Sequence, residues 1–130
     1  MSHIFSTDAL SGEVALVTGA SRGIGKAIAE ALAAAGASVI GSATSQGGAD
    51  GISSALKGKG GRGIVLNIAD DESVQAAIKN IQDQEGSPTI LVNNAGITKD
   101  NLLMRMKEDE WNDVIATNLT GLYRVSKACL

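Results

Sequence analysis

Short apolar runs rich in β-branched residues alternate four times with stretches of helical periodicity, and this alternation constrains the fold of the 130-residue chain more than any other feature. Consecutive strands separated by helices pair in parallel, because each helix carries the chain back across the sheet. Such crossovers are right-handed and place helices on both faces. The sequence therefore predicts one α/β domain over residues 1–130, built on a doubly wound parallel sheet.

The predicted elements have the following bounds. Strands are expected at Glu13–Thr18, Ser38–Ala43, Ile64–Ile68 and Thr89–Asn93. Helices are expected at Gly23–Ala35, from Thr44 or Ser45 to Leu56, from Asp70 to a break at Gly86-Ser-Pro88, and at Glu108–Leu130. The last helix is predicted to turn one apolar face inward, formed by Trp111, Val114, Ile115, Leu119, Leu122, Val125 and Cys129.

Composition and charge exclude several classes of function. A net charge of −3 and a sequence pI near 5.0 give no electrostatic footprint for nucleic acid. No apolar run approaches the length of a membrane span, and the first residues lack the pattern of a secretory signal. The single cysteine, Cys129, is interpreted as a small buried apolar residue in a reducing compartment. We therefore expect a cytoplasmic protein that binds neither membranes nor nucleic acid and holds no metal.

The glycines that follow the first strand are the strongest functional signal. Gly19, Gly23 and Gly25 lie between that strand and the first helix, in the sequence Thr18-Gly-Ala-Ser-Arg-Gly-Ile-Gly25. A tight turn needs glycine there, a pyrophosphate needs unobstructed backbone N–H groups, and the helix N-terminus supplies partial positive charge. This strand–turn–helix context favours a dinucleotide site over a merely structural turn.

Two other glycine patterns look similar but lack the required context. The segment Gly58–Gly63 matches Gly-x-Gly-x-x-Gly, yet it precedes a strand and opens no helix, so we interpret it as a flexible loop. Gly25-Lys26 resembles part of a phosphate-binding P-loop, but Ala20 and Ala27 occupy positions where that motif requires glycine and a hydroxyl residue. Magnesium-dependent phosphoryl transfer is therefore disfavoured.

Asn93-Asn-Ala-Gly96 follows the fourth strand and is the second signal. Ligands of open parallel sheets bind at the carboxyl ends of the strands, where small polar residues suit a cofactor crevice. Asparagine and glycine also favour ordinary turns, so the motif gains its meaning from its combination with the first glycine loop.

Together these motifs resemble the NADPH-dependent short-chain dehydrogenase/reductase family, and the match runs from Val14 to Leu130. The segments Gly96–Lys107, Glu110–Asp113 and Thr117–Leu119 are similar in particular to its 3-oxoacyl-acyl-carrier-protein reductases. The resemblance implies a Rossmann-type fold, here with strand order 3-2-1-4 and the C-terminal half absent. It also implies fatty-acid biosynthesis, an acyl-carrier-protein-bound substrate and a homodimer or homotetramer of the complete enzyme.

The resemblance assigns the cofactor NADP to a defined set of residues. No acid ends the second strand to bind ribose hydroxyls or repel a 2′-phosphate, and Arg22 supplies a cation close by. Asn67 follows the third strand where relatives often carry aspartate, and its amide oxygen can still accept a bond from adenine. The expected cofactor-binding residues are Gly19, Ala20, Ser21, Arg22, Gly23, Ile24, Gly25, Thr44, Asn67, Ile68, Asn94, Ala95 and Gly96.

The catalytic machinery is expected to be incomplete. The resemblance gives Asn118 a catalytic role, in which it distorts its helix and orders a water of the proton relay. Tyr123 and Lys127 match the spacing of the family's Tyr-x-x-x-Lys pair, but they follow Asn118 on the same helix, whereas the family's pair lies on the next helix. We expect a surface tyrosine and lysine there, and no turnover by the 130 residues alone.

Other functions remain open at this point. Another carbonyl reductase of the family, acting for example on acetoacetyl-CoA, would carry the same motifs. A nucleotide-binding module without turnover is the alternative outside the enzymes. The fourth strand is expected at an edge of the sheet, with Val125 and Cys129 exposed nearby, and such apolar surface favours association with another chain.

Overall fold

The computed structural model describes residues 7–96 and 102–130. These residues contain a sheet of four parallel strands in the order β3-β2-β1-β4. The strands are β1 (Val14–Val17), β2 (Ser38–Ala43), β3 (Gly61–Val65) and β4 (Ile90–Val92). The predicted fold class and strand order are both confirmed.

The helices follow the predicted alternation. They are α1 (Gly23–Ala34), α2 (Gln46–Ala55), α3 (Asp71–Gln84), α4 (Glu108–Ile115), a π-helical segment (Ala116–Thr120) and α5 (Gly121–Cys129). Ser45 caps α2, its side-chain oxygen accepting a bond from the N–H of Gly48, and Asp70 caps α3 in the same way. Among the described residues, no helix combines the length and the apolar character needed to cross a membrane.

The core consists of two apolar layers, one on each face of the sheet. Side chains alternate along a strand, so β1 contributes Val14 and Leu16 to one layer and Ala15 and Val17 to the other. The first layer contains buried residues of α3 and α5, and the second contains buried residues of α1 and α2. The doubly wound arrangement therefore follows directly from an apolar β1 that is buried on both faces.

Strand β3 begins earlier than expected, at Gly61 instead of Ile64, and ends at Val65 instead of Ile68. Two glycines of the predicted flexible loop, Gly61 and Gly63, are therefore strand residues. A methyl group at Gly63 would collide with the carbonyl oxygen of Ala49 in α2, and one at Gly61 would lie 2.8 Å from Leu56 Cδ1. Helix α2 packs so closely on β3 that glycine is required, and this packing outweighs the low strand propensity of glycine.

The predicted long helix is interrupted by the π-helical segment, which contains Asn118. The predicted inward face is wrong in part, since Trp111, Leu119 and Leu122 are 57%, 62% and 44% exposed. A π-turn contains more residues than an α-turn, so it rotates the faces before and after it relative to each other. A single helical period cannot describe both sides of such a segment.

The expected edge position of the fourth strand is confirmed, but the expected exposure of apolar residues beside it is wrong in part. β4 pairs with β1 on one side and, within the described residues, ends the sheet. The expected exposure of Val125 is wrong, because this residue is fully buried in the layer that contains α3, and Cys129 is half-buried. In α4, the π-helical segment and α5, the exposed large apolar side chains are instead those of Trp111, Leu119, Leu122 and Tyr123.

Candidate functional site

The loop between β1 and α1 is shaped by glycines that no other residue could replace without strain. Gly19 and Gly23 have φ angles of 66° and 60°, in the left-handed region. Gly25, in the first turn of α1, lies so close to Gly19 that a methyl group there would collide with the Gly19 carbonyl oxygen. The loop therefore folds down onto the start of the helix and keeps its backbone accessible.

The first turn of α1 differs from those of α2 and α3 because no side chain caps it. Arg22 occupies the N-cap position, but its side chain forms no capping hydrogen bond, whereas Ser45 and Asp70 cap the next two helices. The first turn of α1 also contains no acidic side chain. Its N–H groups and the positive end of the helix dipole are therefore available to an anion.

Thr18 joins the two sequence motifs. Its hydroxyl oxygen accepts bonds from the N–H groups of Asn94 (3.0 Å) and Ala95 (2.9 Å), and it is 1% exposed. The side-chain amide of Asn94 donates to the carbonyl oxygen of Gly19 at 2.9 Å. The turn after β4 is thus fixed against the glycine loop, at the carboxyl ends of two neighbouring strands.

The carboxyl ends of the strands surround a cleft of about 470 Å³. Most of the predicted cofactor-binding residues line it; Ala20 and Gly25 are buried and do not line it. The residues that line the cleft are Gly19, Ser21, Arg22, Gly23, Ile24, Ser42, Ala43, Thr44, Leu66, Asn67, Ile68, Asn94, Ala95, Gly96 and Thr117. The segment from Ile97 to Asn101, which carries part of the resemblance, lies outside the described residues.

Charge is distributed unevenly around the cleft. The described residues that line it include no carboxylate, and Arg22 brings a guanidinium to its rim. Thr44, immediately after β2, is exposed on the same cleft. An anionic ligand therefore meets a cation, a hydroxyl and the start of α1 without facing a negative side chain.

Four lining residues were not predicted as cofactor-binding residues, namely Ser42, Ala43, Leu66 and Thr117, and two of them carry hydroxyl groups. Ser42 is 1% exposed within β2; its hydroxyl accepts a bond from the N–H of Gly19 at 3.3 Å, and its carbonyl oxygen accepts one from the N–H of Ala20 at 2.8 Å. A serine in a strand that is buried on both faces is itself a signal that could have identified it. Thr117 reaches the cleft from the π-helical segment, and a helical period of 3.6 residues does not predict its direction.

Asn118 does not line the cleft itself but lies against Gly96, which does. A methyl group at Gly96 would lie 3.0 Å from Oδ1 of Asn118, so the turn after β4 packs directly against this side chain. The helix is distorted where the resemblance implied, and π-helical segments of this kind occur frequently at functional sites.

Tyr123 and Lys127 lie elsewhere. They line a separate surface groove with Asp71, Gln75, Arg124 and Ala128, and neither lines the cleft. The lysine ammonium lies 5.7 Å from the centre of the tyrosine ring, and the tyrosine is 58% exposed. Both residues therefore have the surface positions expected of them.

The cleft suits a dinucleotide. The left-handed glycines bring backbone N–H groups to its wall, and a methyl group at Gly23 would meet no atom within 4 Å, which indicates open space beside the helix start. The described residues contain no group of three or more His, Cys, Asp or Glu side chains that could hold a metal. The sequence pattern of the family described as short chain dehydrogenase matches residues 13–130. The chain belongs to the short-chain dehydrogenase family.

Similar proteins within this short-chain dehydrogenase family carry a common description. The 3-oxoacyl-acyl-carrier-protein reductase FabG of Vibrio harveyi is 64% identical over 121 residues, which are 93% of this chain and 49% of that protein. The protein of the same description from Pseudomonas aeruginosa is 61% identical over 123 residues, 93% of this chain and 50% of that protein. The Escherichia coli K12 protein is 59% identical over 119 residues, with shares of 92% and 48%.

The chain therefore spans about half the length of the curated relatives it matches. Membership of the family implies a nicotinamide cofactor, and the cleft at the carboxyl ends of the strands is the position at which doubly wound sheets bind one.

Proposed function

We propose that this chain supplies the NADPH-binding part of a reductase that converts a 3-oxoacyl thioester on acyl-carrier protein to the 3-hydroxyacyl form. The reaction belongs to fatty-acid biosynthesis and takes place in the cytoplasm. The observation that carries the proposal is the cleft, in which Arg22 and Thr44 share one rim that lacks a carboxylate. The names of relatives that are 59–64% identical support the substrate.

Preference for NADPH follows from charge. The 2′-phosphate distinguishes NADPH from NADH and adds about two negative charges, by analogy with other phosphate monoesters near pH 7. Arg22 and Thr44 are the residues we assign to it, the first as a charge-assisted donor and the second through its hydroxyl. A carboxylate after β2 would favour the ribose hydroxyls of NADH, and Ala43 and Thr44 carry none.

The remaining cofactor contacts use the backbone. The Gly19–Ile24 loop and the start of α1 would bind the pyrophosphate through N–H groups, and Asn67 and Ile68 would flank the adenine. Asn94, Ala95 and Gly96 would contact the ribose on the nicotinamide side. When bound, NADPH supplies a hydride to the carbonyl carbon of the substrate.

Proton supply is the part that these residues do not complete. The carbonyl oxygen must gain a proton as the hydride arrives at carbon, and we assign Asn118 to a water of this proton relay. Tyr123 and Lys127 line a different groove, so the chain offers no positioned tyrosine acid among its described residues. Loss of a general acid typically costs about 10²–10⁴ in rate, so we expect no appreciable turnover by these 130 residues.

Two alternatives make different predictions. An acetoacetyl-CoA reductase would bind NADPH equally well but would prefer the CoA thioester over the carrier-protein thioester. A nucleotide-binding module would bind NADPH and show no turnover even in a longer protein that joins this chain to the C-terminal half of a curated relative. Assays of that longer protein with both thioesters separate the three functions.

We also propose that the complete enzyme is a homodimer or homotetramer that associates through α4 and α5. Trp111, Leu122 and Tyr123 are exposed on these helices, and Leu119 is exposed on the π-helical segment between them. Exposed patches of this kind are typical of protein interfaces. Leu119→Glu should shift the sedimentation coefficient of the longer protein towards that of a monomer, and an unchanged oligomer would contradict this assignment.

Arg22→Ala tests the cofactor proposal. A charge-assisted hydrogen bond contributes about 1.5–3 kcal/mol, so the variant should bind NADPH at least about tenfold more weakly while NADH binding changes little. Lys26→Ala is the matched control, because Lys26 is exposed one turn further along α1 and does not line the cleft. Isothermal titration of both cofactors measures the effect. Equal losses for NADPH and NADH would refute the assignment.

A further inference from the structure

Arg124 of α5 reaches from its helix to the loop that follows β3. Its Nη1 group donates a hydrogen bond of 2.8 Å to the carbonyl oxygen of Ala69, and the contact is partly buried. A guanidinium always carries its charge, so this bond is stronger than one between neutral groups. Arg124 therefore holds the peptide group between Ala69 and Asp70 from outside the loop.

The same loop orients Asn67. The N–H of Ala69 donates to Oδ1 of Asn67 at 3.0 Å, and the N–H of Asn67 donates to the Ser73 hydroxyl at 3.0 Å. Asn67 lines the cofactor cleft, whereas Arg124 lines the groove on the far side of the loop. The guanidinium is thus connected to Asn67, which lines the cleft, through the backbone of Ala69: Arg124 binds its carbonyl oxygen, and its N–H group binds Oδ1 of Asn67.

Helix α5 packs closely against the loop that carries this connection. Gly121 is buried, and a methyl group there would lie 2.9 Å from the carbonyl oxygen of Ile68 and 2.8 Å from its Cγ1. Val125, one turn later, is fully buried in the same apolar layer as Ile68. The loop therefore rests on a packed helix face, and Arg124 extends from that face to its next carbonyl group.

We infer that Arg124 is a positioning residue for the adenine end of the cofactor, acting through the backbone of Ala69 and the side chain of Asn67. This inference rests on the proposed binding of NADPH. A carbonyl oxygen has two lone pairs, so Oδ1 of Asn67 accepts the Ala69 N–H and still accepts the exocyclic amino group of adenine. Without Arg124 the backbone of Ala69 is held less firmly, and Oδ1 of Asn67 loses its fixed direction.

The test compares NADPH with its analogue that carries hypoxanthine in place of adenine and so lacks the amino group. The unmodified chain should bind NADPH about two- to tenfold more tightly than the analogue, the range of one net hydrogen bond. Arg124→Met should remove this preference by weakening NADPH alone, and Arg124→Lys should restore part of it. Lys127→Met is the matched control, since it removes the same charge from the same exposed helix and should change neither affinity.

A double-mutant cycle shows whether the effect passes through Asn67. Asn67→Ala should abolish the same preference, and Arg124→Met added to Asn67→Ala should have no further effect on it. Equal weakening of NADPH and the analogue by Arg124→Met would indicate a general structural role and overturn the inference, as would additive losses in the cycle. If Arg124→Met does not fold, the same comparison is made with Arg124→Gln.

The experiments distinguish a failure of the proposed NADPH binding from a failure of the inference about Arg124. A chain that binds neither NADPH nor the analogue contradicts the proposed function and the inference together. A chain that binds both equally well contradicts only the inference. Hydrogen exchange adds a measurement without cofactor, because Arg124→Met should accelerate exchange at the Ala69 amide, and unchanged protection there would contradict the connection between the two residues.

Discussion

Replacement of Thr18 by valine tests the connection between the glycine loop and the turn after β4. Valine has nearly the shape of threonine but lacks the hydroxyl that accepts bonds from the N–H groups of Asn94 and Ala95. Thr18 is 1% exposed, so water cannot readily replace the lost acceptor. A buried donor without an acceptor costs about 1–3 kcal/mol. For the two N–H groups together we expect about 2–4 kcal/mol, which is below twice the upper value because the cleft beside them admits some water.

Thr18→Ser is the matched control. Serine keeps the hydroxyl and loses one methyl group, which should cost about 1 kcal/mol. Urea denaturation followed by circular dichroism gives both free energies of unfolding, and a constant m-value ensures that the comparison concerns the folded state. Valine should be the more destabilising substitution by about 1–3 kcal/mol. A Thr18→Val chain as stable as the Thr18→Ser chain would refute the role we give to this hydroxyl.

Three further predictions use the same chain. Gly25→Ala should weaken NADPH by about fivefold or more, because overpacking against Gly19 costs about 1–3 kcal/mol; an unchanged dissociation constant would contradict the close approach. Burial raises the pKa of the Cys129 thiol above its ordinary value of about 8.5. The protonated thiol therefore makes its full contribution to the free energy of unfolding below that pH, and this contribution is lost as the pH rises further. The Cys129→Ala chain should therefore lose less stability between about pH 8 and 10, as urea midpoints would show. The chain should not turn over 3-oxoacyl thioesters. NADPH-dependent activity that is abolished by Tyr123→Phe would contradict this and would place Tyr123 in the active site.

The sequence was sufficient for the fold wherever periodicity and local chemistry agreed. β1 is apolar at every position, which predicted a strand buried on both faces, whereas its place in the strand order was predicted from the family resemblance. The caps at Ser45 and Asp70 have side chains whose preference for helix starts is strong. The cleft lies where the two motifs predicted it, because turns at the carboxyl ends of adjacent parallel strands must meet.

The failures have tertiary causes. Gly61 and Gly63 lie in β3 because α2 packs directly on them, and no local preference of glycine indicates such a contact. The π-helical segment around Asn118 changed which residues of the predicted long helix face inward, so that Leu119 and Leu122 are exposed although they were predicted inside. Arg124 was not predicted to serve the cleft, since its connection to Asn67 passes through a backbone carbonyl that no sequence motif marks.

The central claim is that the cleft binds NADPH, and amide chemical shifts measure this most directly. Titration of the isotopically labelled chain with NADPH should give saturable shifts at Gly19–Gly25, Thr44, Asn67 and Asn94–Gly96. NADH should shift the same amides except that of Thr44, with an affinity at least about tenfold lower, as expected for loss of the charge-assisted contact to Arg22. Shifts confined to residues outside the cleft, or equal affinities for the two cofactors, would contradict the account.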